Sequence, residues 1–128
     1  MIVIIPSEKI TLSDEEKFSM SNCRKFLSGF PITVLLPNKF KNSAIPVEFK
    51  ELKLEYFRSR FFKSTRSYSR LLLSKEFYEH FSEYEYMLIC QTDALVLKNE
   101  LLYWCEKGYD YIGAPWFAGD QQDKNNKI

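Results

Sequence analysis

Two short apolar runs, each closed by a proline, set the terms for this chain. Ile2–Ile5 reads IVII and stops at Pro6; Ile32–Leu36 reads ITVLL and stops at Pro37. Neither run alternates apolar with polar residues, so neither leaves one face in water. Both are short and rich in β-branched side chains, which favours strand over buried helix. Tyr86–Gln91, YMLICQ, makes a further run of this kind, with Leu95–Leu97 continuing or resuming it after Asp93. Helical patterns separate these runs. Apolar strands between helices imply an α/β fold, a mostly parallel sheet sandwiched by helices.

The helical patterns carry their own punctuation. Ser13-Asp14-Glu15-Glu16 fits a capping box, in which the serine hydroxyl meets an amide of the first turn and Glu16 reaches back. Met20, Cys23 and Leu27 then share a face, and Gly29 suits the exit. Lys39–Val47 reads as loop and Phe49–Tyr56 as a third strand. Arg66, Arg70, Leu73, Phe77 and Phe81 recur at spacings of four and three, which predicts one helix from Arg66 to Phe81. Asn99 suits the cap of a short helix carrying Leu101, Leu102 and Cys105, with Gly108 at its end. Tyr109–Gly113 reads as a last strand, limited by Pro115. The expected order is β-α-β-β-α-β-α-β.

Composition excludes several classes. No apolar stretch is long enough to cross a bilayer. MIVIIP lacks the basic segment and the length of a signal peptide. Three cysteines, Cys23, Cys90 and Cys105, have no CxxC spacing and an odd count, which argues against a disulfide framework or zinc site and for a reducing, cytoplasmic setting. The net charge of +1 conceals a division. Residues 50–75 hold eight basic and two acidic side chains; residues 76–128 hold four basic and ten acidic. The basic segment suits either an anionic ligand or a surface paired with the acidic segment.

Ligands in parallel sheets bind beyond the carboxyl ends of the strands. Asp93 falls at such an end, inside CQTDALVL, and so does the Pro6-Ser7-Glu8 loop. A carboxylate there suits a divalent cation, a phosphoacceptor of the response-regulator kind, or the cap of a turn. Tyr68-Ser69-Arg70 begins the helix before that strand, and an arginine fork suits phosphate; the competing reading lays Arg70 along the core. In Tyr109–Trp116, YDYIGAPW, Gly113 permits close backbone approach and Trp116 offers a flat face for a sugar ring, or simply closes the core. His80, the only histidine, reads as surface or packing. No glycine-rich phosphate loop and no nucleophile elbow is present.

Three blocks carry a resemblance: YSRLLLSKEFY from Tyr68, YEYMLICQTDALV from Tyr84, and WCEKGYDYIGAPW from Trp104 to Trp116. Together they resemble a bacterial glycosyltransferase-like family, long catalogued as a domain of unknown function and similar to nucleotide-sugar transferases of the GT-A fold. The resemblance runs from about Ile2 to Trp116. It implies that Gln91-Thr92-Asp93 stands where the Asp-x-Asp motif ends the central strand. Gln91 replaces the first acid, so only Asp93 carries over as ligand to a manganese or magnesium ion. It further implies donor contacts from Pro6, Ser7, Glu8, Tyr68, Arg70, Gln91, Thr92, Gly113 and Trp116. The partners implied are a nucleotide-sugar donor and a glycan or lipid-linked acceptor, with no nucleic acid. Asp110 and Asp120 stand by position as candidates for a base. GT-A domains extend further than this chain, so residues 1–117 are expected to form the donor-binding part of an incomplete domain, and 118–128 a disordered polar tail. A binding remnant without turnover and a receiver-like signalling domain are the competing functions.

Overall fold

The computed structural model describes residues 1–115. Trp116, Asp120 and the tail 118–128 lie outside them. Four strands, β1 (Ile2–Pro6), β2 (Ile32–Pro37), β3 (Lys53–Phe57) and β4 (Met87–Ile89), form one sheet in the order β3-β2-β1-β4. Every pairing is parallel, with Ile4 opposite Thr33 on one side and Ile89 on the other. The helices are α1 (Asp14–Leu27), α2 (Thr65–Leu72), α3 (Lys75–His80) and α4 (Leu101–Glu106). This is the parallel α/β sandwich that the unbroken apolar runs require.

Side chains of β1 alternate between two cores. Val3 and Ile5 pack with Met20, Cys23 and Leu27 of α1, and with Val34, Leu36, Phe49 and Cys90. Ile2 and Ile4 pack on the opposite face with Leu35, Phe57, Phe61, Leu71, Phe77 and Phe81. Val3, Ile4, Val34 and Leu35 are fully buried, as expected of strands covered on both faces. The chain therefore lays α1 on one face of the sheet and α2 with α3 on the other.

The capping box at Ser13 forms as expected: the Glu16 amide donates to the Ser13 hydroxyl at 3.2 Å and the Ser13 amide donates to the Glu16 carboxylate at 2.8 Å. Other expectations need correction. Gly29 does not take the left-handed conformation; α1 ends on Ser28 in a right-handed geometry. Gly108 does take it, with φ of 73°, at the end of α4. The third strand starts at Lys53, because Val47–Phe49 forms a 3-10 turn that drives Phe49 into the core.

The single helix from Arg66 to Phe81 is two helices. Ser74 ends the first and caps the second: its hydroxyl donates to the Leu71 carbonyl at 2.7 Å and accepts from the Phe77 amide at 3.3 Å. The break rotates the two faces relative to each other. Leu71, Phe77 and Phe81 are buried, whereas Leu73 is 84% exposed. Leu95–Leu97 and Tyr109–Gly113 form no strand. α1 ties the first of these segments down through side chains: Ser19 donates to the Ala94 carbonyl and Asn22 to the Val96 carbonyl. Tyr109, Tyr111 and Ile112 are exposed and make no ladder.

Candidate functional site in a cleft at the strand ends

In a parallel α/β sheet the helices run against the strands, so helix amino ends gather at the strands' carboxyl ends. Here that edge opens into a cleft of about 430 Å³, within the range of small-molecule sites. One wall is the loop after β1, Pro6-Ser7-Glu8-Lys9, and another is Gln91-Thr92-Asp93 after β4. Phe62, Ser64, Thr65 and Tyr68, at the start of α2, close the far side, and Glu16 enters from the first turn of α1. A shallower hollow on the α1 side, rimmed by Phe18 and Leu95, shares Lys9, Glu16 and Asp93.

The location follows from the strand order. After β1 the chain builds β2 and β3 to one side, then returns to place β4 on the other side of β1. The loops after β1 and β4 thus stand side by side at the carboxyl edge, and the segment after β4 turns onto the α1 face, where Val96 and Leu101 pack. Such a reversal of winding is where open α/β sheets hold ligands.

Local bonds hold these walls. The Ser7 amide donates to the Leu35 carbonyl at 2.9 Å, and its hydroxyl donates to the Lys9 carbonyl at 2.7 Å. Ser7 is thus buried and used in shaping the loop, leaving Glu8 and Lys9 outermost. Glu16 ties the site together. Its carboxylate accepts from the Ser13 amide, pairs with the Lys9 ammonium at 3.0 Å, and accepts from the Thr92 hydroxyl at 3.3 Å. Burial is the largest single influence and pushes the Glu16 carboxyl up, but the Ser13 amide, Lys9 and Thr92 together outweigh it, and the group is held below its ordinary value.

Tyr68 presents the opposite case. Its hydroxyl oxygen is buried and has no hydrogen-bond partner among the described residues. Burial pushes the phenol up; the Asp93 carboxylate adds to this, while the Gln91 side chain acts the other way without a bond of good geometry. Behind the cleft floor Cys90 faces Cys23 in the core. The thiol of Cys23 is pushed far up by its hydrogen bond to Cys90 and by burial, so it stays protonated.

The cleft thus brings together Pro6, Ser7, Glu8, Tyr68, Gln91, Thr92 and Asp93 from the sequence reading. Arg70 is not part of its lining and is exposed. Two residues of helix turn the backbone about 200°, so Tyr68 toward the cleft directs Arg70 away. Gly113 and Asp110 are exposed and outside the lining; a Cβ on Gly113 would first meet the Tyr111 side chain, at 2.8 Å from its hydroxyl. His80 pairs with Glu55 at 3.1 Å and sets its ring against Phe57 and Phe81. Among the described residues no three His, Cys, Asp or Glu side chains converge as a metal site, and no helix is long and apolar enough to cross a membrane.

Lys9, Glu16, Ser64 and Thr65 were missed by sequence reasoning. Glu16 had a signal: the third position of a capping box after the first strand lies at the sheet's carboxyl edge by construction. Ser64 offered the same cue, since it caps α2 through the Ser67 amide.

No curated protein and no solved structure shows a significant match to the chain. A family profile does match, over residues 51–128, which takes in β3, both helices of the second face, β4 and the Gln91–Asp93 wall. On that match the chain belongs to the family described as protein of unknown function DUF5672.

Proposed function

We propose that the cleft takes the diphosphate end of a nucleotide-sugar donor and that the chain serves sugar transfer to a glycan or lipid-linked acceptor, with a GT-A-like arrangement of the donor half. The observation that carries this reading is the position of Asp93: it lines a ligand-sized cleft at the winding reversal between β1 and β4. The wording of the Tyr84–Val96 and Trp104–Trp116 blocks supports sugar transfer over other uses of such a cleft.

Charge supports a divalent cation as part of the complex. The lining carries three carboxylates, Glu8, Glu16 and Asp93, against the single ammonium of Lys9, which Glu16 already engages. A diphosphate entering alone meets net repulsion. Asp93, exposed and free of protein hydrogen bonds among the described residues, is the side chain that would hold a manganese or magnesium ion, with donor oxygens completing the shell. Such an ion would supply positive charge against that growing on the departing phosphate. The chain's own part is to seat the donor: Ser64, Thr65 and the amino end of α2, whose first turn has no acid, face the anionic end. The Tyr68 hydroxyl offers an unused donor nearby.

The test is thermal. A nucleoside diphosphate with manganese at about 100 times its Kd should raise the melting temperature by on the order of 10 °C. Asp93→Ala should remove the metal-dependent part. No shift with uridine, guanosine, cytidine, adenosine or thymidine diphosphate overturns the reading.

A further inference from the structure

From Tyr56 to Ser74 the sequence holds five cations and no carboxylate: Arg58, Arg60, Lys63, Arg66 and Arg70. All five are exposed. None takes part in an ion pair among the described residues, where Lys9, Arg24, Lys53, Lys75 and Lys98 all do. The acidic side chains among the described residues therefore do not pair with this surface. Five unpaired like charges held close together repel one another, and that repulsion is relieved only by an anionic partner or by salt.

The patch also has an apolar component. Arg66, Arg70 and Leu73 fall at i, i+4 and i+7, on one outward stripe of α2, and Leu73 extends into solvent with 84% of its surface exposed. Leu71, on the other side, is fully buried. Arg60 lays its guanidinium over the Phe61 ring at 5.0 Å, which holds it at the surface. A cationic stripe with a protruding leucine suits the boundary of an anionic bilayer, where arginines meet headgroups and the aliphatic tip enters the acyl edge. A phosphate polymer would use the charges and leave Leu73 without a role.

We propose that the surface formed by Arg58, Arg60, Lys63, Arg66, Arg70 and Leu73 docks the protein on an anionic membrane surface. This patch starts beside the cleft: Ser64 and Thr65, which line it, stand between Lys63 and Arg66. Docking therefore brings the amino end of α2, which walls the cleft, near the headgroups. Resting on the functional reading above, this favours an acceptor carried by a lipid over a free glycan.

The experiment is flotation of the full chain with vesicles of pure phosphatidylcholine and of phosphatidylcholine mixed with phosphatidylglycerol. Binding is expected only to the anionic vesicles and is expected to weaken as salt rises. Each arginine near a charged surface contributes enough that Arg66→Glu with Arg70→Glu should lower the partition coefficient at least about tenfold. Leu73→Ser should lower it with no change of charge. These substitutions are on the exposed face, and the melting temperature with a nucleoside diphosphate and manganese reports separately that fold and donor site persist. Three results overturn the proposal: no binding to anionic vesicles, binding unchanged in the arginine variant, or a Leu73-independent preference for single-stranded RNA over the vesicles.

Discussion

The carboxylate of Glu16, in the first turn of α1, accepts the hydroxyl of Thr92 beyond β4 at 3.3 Å and holds the Lys9 ammonium at 3.0 Å. One side chain thereby links three segments around the cleft. Its carboxyl is held below the ordinary value of 4.5. A depressed folded-state value means stabilisation that is complete above the unfolded value and lost as pH falls through the folded one. Glu16→Gln should therefore cost about 0.5–1 kcal/mol near neutral pH, and the gap to wild type should close on acidification below 4.5. Urea midpoints across that range check this. A gap that stays constant with pH would show that the charge is not what matters.

Neighbouring leucines on α2 should respond in opposite ways. Leu71 is fully buried against Phe77 and Ile4, whereas Leu73 is exposed. Leu71→Ala should cost about 2–5 kcal/mol through lost burial and a cavity. Leu73→Ala should stay within about 0.5 kcal/mol of wild type. Equal losses in chemical denaturation would mean that the chain runs as one unbroken helix through Ser74.

The buried hydroxyl of Tyr68 has no partner among the described residues. Removing an unsatisfied group relieves a desolvation cost, so Tyr68→Phe should leave stability unchanged or raise it by about 1 kcal/mol. A fall of that size in the urea midpoint would reveal a hydrogen bond that the geometry does not contain.

The three thiols should separate by accessibility. Cys23 and Cys90 are buried, and Cys105 is partly exposed. A native titration with an aromatic disulfide reagent should show one fast thiol, lost in Cys105→Ser, and two that react only on unfolding. Rapid reaction of Cys23 would contradict its protected, protonated state.

The strands were legible where both neighbours bury them. Ile2–Pro6 and Ile32–Pro37 carry their burial in their composition, and Ser13 with Glu16 announces α1 two bonds at a time. Reading failed where a side chain competes with the backbone. Ser74 satisfies Leu71 and Phe77 locally and breaks a helix that the apolar spacing alone would carry through. Tyr109–Gly113 has strand-like residues but no partner strand among those described, so nothing selects an extended ladder. At the site, Asp93 and the Pro6–Glu8 loop followed from strand ends. Arg70 stands outside the cleft lining because helix phase, set by Leu71 packing inward, is decided by tertiary contact.

The pairing of β1 with β4 has a consequence for how the protein is made. Ile2 meets Met87, so β1 waits for a segment synthesised much later before its second edge is filled. Until then β1, β2 and β3 form at most a parallel trio with a bare flank of isoleucine and valine. Such long sequence separation slows the search and leaves a sticky intermediate. Synthesis of this chain therefore passes through a window in which that flank stands open to foreign strands.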